Sequence, residues 1–349
     1  MTRDRRSGGD APAGTPRRRL LAAAALAPVL AGSGALPGVA RAAPALPGAP
    51  RRAAGTAARD ADPAAPQPSH PLTTTDADWQ GVADALGRTG RVMAGTVYRV
   101  GFPRRDLHVV SQGITIQPGL ALSSYAAFTL YDDRQTVVRG DLVVIEAELQ
   151  RATDTLHAHG FEQTAIHKHL LAHEPDVWWT HFHAAGPDAV ELARGLKAAL
   201  DSTATPPAVA APATPPPLDL ETAAMDAALG TTGTNDGGIY KYSFARRETV
   251  TDEHRILPSA TGVTTVLAFQ PLGGGRAAVN GDFVMTAHEV QDVLTALRAG
   301  GLSVIELHNH GLMDEPRLFY THFWGVDDGV VLARALRTAV DATDTAPPD

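Results

Sequence analysis

Residues 163–183 read QTAIHKHLLAHEPDVWWTHFH, and residues 307–324 return the same pattern as LHNHGLMDEPRLFYTHFW. In the first stretch His167-Lys168-His169 and His181-Phe182-His183 flank a turn-like Glu174-Pro175. Residues i and i+2 of a strand share a face, so each His-X-His pair presents two imidazoles to one side. The spacing predicts an antiparallel hairpin centred on Pro175, with His169 opposite His181 and His167 opposite His183. Four rings would then project from one patch of sheet. The second stretch carries His308, His310 and His322, with Trp324 at the position of His183.

Working outward, the echo extends through the chain. Ala85-Leu86-Gly87 returns as Ala228-Leu229-Gly230, Gly140-Asp141-Leu142-Val143 as Gly281-Asp282-Phe283-Val284, and Leu192-Ala193-Arg194 as Leu332-Ala333-Arg334. Glu148 aligns with Glu289, and the offset between copies drifts by only three residues. Each copy reads as a short helix, several strands, a helix stopped by glycine, the histidine hairpin and a closing amphipathic helix. The expected fold class is α+β: two tandem homologous units, each a mainly antiparallel sheet packed with helices, arranged as a pseudo-twofold pair. The repeats are expected at 76–200 and 218–342.

Residues 201–217, DSTATPPAVAAPATPPP, and residues 43–75 read as Pro/Ala linkers. Residues 1–42 read as a twin-arginine-like export signal: Arg17-Arg18-Arg19-Leu20-Leu21, a short apolar run, then Val39-Ala40-Arg41-Ala42 before a cleavage point. The expected location is exported, either secreted or cell-wall associated, with no membrane span in the mature protein. Without cysteine, disulfides, thiolate metal sites and lipid-modified cysteine are excluded. The full chain carries a net charge of −8, and removal of a +5 leader would leave −13. That balance opposes nucleic acid as a partner and suits a cation.

The chain resembles the LppY/LpqO family, known from mycobacterial lipoproteins built of two tandem copies. In copy one the resemblance rests on Tyr98, Pro103, Arg104, Asp106, Gly140, Asp141, Glu148, His167, His169, His181 and His183. Copy two supplies Tyr240, Arg246, Gly281, Asp282, Glu289, His308, His310 and His322. Lys168 stands where copy two has Asn309, and the lipid-bearing cysteine of the family is missing. The resemblance implies an exported envelope protein and assigns no activity.

Imidazoles in this number point to a divalent transition metal, zinc foremost. The expected ligands are His167, His169, His181 and His183 in repeat 1, with His308, His310 and His322 as a reduced set in repeat 2. A catalytic zinc keeps three protein ligands and one position for water. Glu148, at the start of the helix that precedes the hairpin, could be a further ligand, a group orienting a histidine, or a general base. The expected function is therefore an LppY/LpqO-type metal-binding protein with its site on the repeat 1 hairpin. The alternatives are a metal-assisted hydrolase using Glu148 and a binding module for peptidoglycan or another cell-wall polymer, with a small molecule as the other partner. Arg104-Arg105-Asp106 reads as a solvated turn with a local ion pair.

Overall fold

The computed structural model describes residues 67–210 and 214–347. The expected export signal and most of the first linker lie outside the described residues. The first repeat opens with α1 (Gln80–Leu86), β1 (Arg91–Met93), β2 (Val97–Pro103) and two short strands, β3 (Val110–Ser111) and β4 (Ile114–Thr115). Then come β5 (Ser123–Leu130), β6 (Thr136–Ile145), α2 (Glu146–Ala158), β7 (Glu162–His167), β8 (His173–Glu174), β9 (Val177–Gly186) and α3 (Ala189–Asp201).

The second repeat runs in the same order. Its first half is α4 (Thr222–Leu229), β10 (Thr234–Asp236), β11 (Ile239–Arg246), β12 (Thr251–Asp252), β13 (Arg255–Ile256), β14 (Thr264–Gly273) and β15 (Arg276–Thr286). The second half is α5 (Val290–Ala299), β16 (Ser303–His308), β17 (Asp314–Glu315), β18 (Leu318–Asp328) and α6 (Gly329–Val340).

The strand orders match: β1-β2-β5-β6-β9-β7 and β10-β11-β14-β15-β18-β16, with every pairing antiparallel. The fold is the expected pseudo-symmetric pair of antiparallel α+β units. Each sheet packs its own helices against one face. In repeat 1 Val138, Leu142, Val144 and Phe182 meet Leu149, Leu156, Leu196 and Leu200; in repeat 2 Val279, Phe283 and Phe323 meet Val293, Leu297, Leu332 and Leu336. The alternate positions of the same strands face the other repeat, because strand side chains change sides at every residue. A third core there joins Val143, Val177 and Trp179 to Ile239, Ala268, Ala278 and Trp324. Two sheets are thus sandwiched between two helical layers, and the inner faces belong to both repeats.

Polar bonds stitch this seam. Thr164 Oγ1 donates to the His310 carbonyl at 2.6 Å, Asn280 Nδ2 to the His169 carbonyl at 2.7 Å, and Asn309 Nδ2 to the Thr164 carbonyl at 2.8 Å. Gly140 and Gly281 let the central strands close up. A Cβ there would come within 2.1 Å of the Tyr125 carbonyl oxygen or 2.0 Å of that of Val266.

The hairpin register differs from the expected one. His167 lies opposite Trp179, Ala165 opposite His181 and Glu162 opposite His183. Strand β7 stops at His167, and His173 and Glu174 leave the hairpin to pair with Ser111 and Val110 of β3. The Glu-Pro segment is therefore held by a long-range pairing, which local turn chemistry does not encode. Among the described residues no helix is long and apolar enough to cross a membrane.

Candidate metal centre

Asp141 and His181 are register partners on β6 and β9, and Asp282 and His322 are partners on β15 and β18. All four sit on the inner faces. His167 and His308 end their edge strands, and His169 and His310 follow just beyond. The two sheet faces bring the six rings together. Ring centroids of His167 and His308 are 4.0 Å apart, those of His169 and His322 3.6 Å, and those of His181 and His310 3.8 Å. Every one of these three contacts joins one repeat to the other.

Six of the seven expected ligands converge; His183 does not. It lies beyond the cluster, beside the Arg139–Asp252 ion pair of 2.7 Å, because two residues along a strand carry a ring almost 7 Å onward. Trp324, its counterpart, is packed into the shared apolar core. Lys168 turns outward to pair with Asp176 and sits 3.8 Å over the Trp178 ring. Trp179 and Tyr320 occupy equivalent positions and stack on His169 and His310, with centroids 4.8 and 3.4 Å away.

The Glu148 reading is corrected as well. Its carboxylate accepts from Arg104 Nη1 at 2.8 Å, from the Ile145 amide at 3.0 Å and from the Ala204 amide at 2.7 Å. Those bonds cap the start of α2 and anchor the chain after α3. Arg104 is not a solvated turn residue: it is 1% exposed and also holds Asp106 at 2.8 Å and the Val143 carbonyl at 2.8 Å. Arg246, Glu248 and Glu289 repeat the arrangement.

Conversely, Asp141 and Asp282 were read only as part of the repeat, yet both carboxylates reach the rings. Asp141 Oδ2 is 3.5 Å from His169 Nε2, and Asp282 Oδ2 is 3.2 Å from His310 Nε2. The signal was present in the recurring Gly-Asp pair, since an acidic residue is costly on a buried strand face unless it has a partner.

Electrostatically the chamber favours neutral groups. Burial pushes His167, His169, His181, His308 and His322 below the ordinary histidine range, and His310 down to about 3. Burial also raises the two acids, Asp282 to about 7 and Asp141 well above its usual range, the latter helped by the nearby Asp282. Neutral imidazole is the ligand form. Backbone carbonyls orient three rings through Nδ1: Gly140 for His181 at 3.3 Å, Gly281 for His322 at 2.9 Å and Gly262 for His310 at 3.1 Å. A carbonyl can only accept, so Nδ1 carries the proton and Nε2 offers its lone pair to the chamber.

Those lone pairs find no acceptable partner within the protein. Of fourteen buried side-chain polar atoms without a hydrogen bond among the described residues, ten belong to these six histidines and two aspartates. Leaving a buried polar group unpaired costs ~1–3 kcal/mol, so such a concentration is a strong reason to expect a ligand. Three groups, His167/His169/His322, His167/His181/His308 and Asp282/His308/His322, each have donor atoms within 4.8 Å of one another. A cavity of about 10 Å³ adjoins His181 and His310, walled by Tyr125, Arg139 and Thr261, with room for roughly one water.

A family model described as Domain of Unknown Function (DUF1259) matches residues 80–202 and 223–342. No curated protein matches the chain. Three solved structures do, two of them described as microcompartment shell proteins. The double-ringed trimeric shell protein MSM0271 of the RMM microcompartment is 15% identical, with 59% of this chain and 82% of that one covered and a TM-score of 0.17. EtuB from Clostridium kluyveri is 15% identical, covering 72% and 88% at a TM-score of 0.17. The trimeric shell protein PduB is 12% identical, covering 70% and 86% at a TM-score of 0.16.

These findings correct the family resemblance: the matching model is that of DUF1259, not an LppY/LpqO lipoprotein family. The expected LppY/LpqO-type function, with its alternatives, therefore loses the resemblance it rested on and is withdrawn. At TM-scores of 0.16 and 0.17 these structures transfer no role to this chain either.

Proposed function

Because the chain belongs to the family described as Domain of Unknown Function (DUF1259), a description that assigns no activity, we propose a function from the chamber itself: the two repeats jointly hold a divalent transition metal, zinc foremost, between their sheets. The observation that carries this reading is the group of ten unpartnered donor atoms on His167, His169, His181, His308, His310, His322, Asp141 and Asp282. An all-imidazole and carboxylate set with no thiolate suits zinc and its first-row neighbours. When bound, such an ion supplies Lewis acidity and acidifies a coordinated water.

The residues around it define what the site admits. Trp179 and Tyr320 close two ends by stacking on His169 and His310. Tyr125 and Arg139 wall the cavity beside His181 and His310, which accommodates water rather than a polymer. The partner that this supports is therefore a small molecule or water that reaches the ion, and the acidic chain opposes nucleic acid. The test is elemental analysis of the full chain after dialysis against zinc and removal of excess. Retained zinc that a strong chelator removes, with a fall in Tm, is the expected result. A chain that keeps no ion and whose Tm ignores zinc contradicts the proposal.

A further inference from the structure

Resting on the metal-centre reading, we infer that the chamber holds two ions, one in each of two mixed triads. One triad is His167 and His169 with His322; the other is His308 and His310 with His181. Both follow the same plan: the histidine that ends an edge strand and the one two residues beyond it meet the inner-strand histidine of the other repeat. In the first, centroids are 5.0 Å apart for His167–His169, 3.6 Å for His169–His322 and 5.2 Å for His167–His322. In the second, the matching separations are 5.2 Å for His308–His310, 3.8 Å for His181–His310 and 6.0 Å for His181–His308. The pseudo-twofold relation thus generates each triad from the other, and the triads share no residue.

Donor supply favours two ions over one. A single tetrahedral ion uses at most four ligands. Centred on His167, His181 and His308, it would leave His169, His310 and His322 buried with unpaired nitrogens. Two ions use all six rings. A carboxylate lies beside each triad, Asp141 at 3.5 Å from His169 and Asp282 at 3.2 Å from His310, the latter also 3.7 Å from His322 of the first triad. With ions bound, these two carboxyls would ionise and offset the repulsion that a pair of dications meets at the separations of ~3.5–4 Å found in two-metal sites. Three imidazoles and one carboxylate complete a tetrahedral zinc shell, and a shift of that carboxylate opens a position for water. The second triad has such a position beside it, in the cavity walled by Tyr125 and Arg139.

The experiment is an ion count on the full chain, stripped with chelator, reloaded with zinc and measured by mass spectrometry. Two ions per chain are expected, and one per chain in each of His169→Ala and His310→Ala. One ion in the unaltered chain overturns the two-ion inference and leaves the metal centre standing; none overturns both. Cobalt reloading gives a second readout that does not depend on the variants folding. Magnetic coupling between two cobalt ions in the unaltered chain is expected, and isolated-ion spectra at full loading overturn the inference.

Discussion

Two kinds of buried polar cluster occur in this molecule: a clasp found once in each repeat, and a chamber that both repeats build together. In the clasp, Arg104 is met by Asp106, Glu148 and the Val143 carbonyl, and Arg246 is met by Glu248, Glu289 and the Val284 carbonyl. In the chamber, ten donor atoms face one another with no hydrogen-bond partner. The residues of both clusters recur at matching places in the two repeats, so recurrence alone does not separate scaffold from site. Satisfaction does. An ion-pair network in which Glu248 Oε2 alone is left unpaired fixes structure, whereas convergent, desolvated and unpaired donors are what a bound cation requires.

The comparison breaks most sharply under metal. Zinc at a thousand-fold excess over its Kd should stabilise the unaltered chain by ~4 kcal/mol, and the paired change His167→Ala with His308→Ala should abolish that gain. Urea-unfolding midpoints with and without zinc measure it. An unchanged zinc response in the paired variant would place the ion elsewhere. Next in size, Arg104→Ala should cost ~3 kcal/mol by stranding buried Glu148, while the zinc count stays at the unaltered value. Loss of zinc in that folded variant would merge the two clusters into one functional unit.

Acid should separate them as well. The chamber histidines are held neutral, so their folded-state affinities for protons lie below that of the unfolded chain. Their stabilising state is intact above pH ~6.5 and is lost progressively as pH falls toward 3. Asp282, raised to about 7, works in the opposite direction, since the unfolded chain ionises it first and stability falls as pH rises toward 7. The histidines outnumber the two acids, and His183 adds to them with a value near 4. The metal-free chain should therefore lose stability on acidification from pH 6.5 to 4. The clasp responds later: the ion pair with Arg246 and amide hydrogen bonds hold Glu289 below its usual range, so its contribution disappears only under pH ~4.5. Thermal melts at pH steps, with and without zinc, check this, and a flat apo profile from 6.5 to 4 would contradict it. Smallest of all, His183→Gln should leave the ion count unchanged and shift stability by about 1 kcal/mol or less.

Much of this was legible in the chain. The internal repeat is written in the residues, and strand β6 (Thr136–Ile145) carries its signal in two β-branched ends, Thr136-Val137-Val138 and Val143-Val144-Ile145, around Arg139-Gly140-Asp141-Leu142. Six of the site histidines were visible for the same reason: strand alternation fixes the face a residue occupies. Alternation does not fix position along the strand or the partner sheet. That is why His183 was grouped with His181 although it lies past the rings, and why a one-repeat hairpin was expected where both repeats contribute. The register slipped because His173 and Glu174 pair with β3, more than sixty residues earlier. Glu148 was misplaced because its carboxylate turns back onto the Ile145 amide, a capping geometry that sequence position alone does not distinguish from an outward-facing base.

The most direct measurement is anomalous diffraction at the zinc edge from crystals of the zinc-loaded chain. The account predicts anomalous density between the two sheets, within ~2.0–2.1 Å of imidazole nitrogens contributed by both repeats. Density bonded to the histidines of one repeat only, or a chamber without density while zinc sits elsewhere, would contradict it.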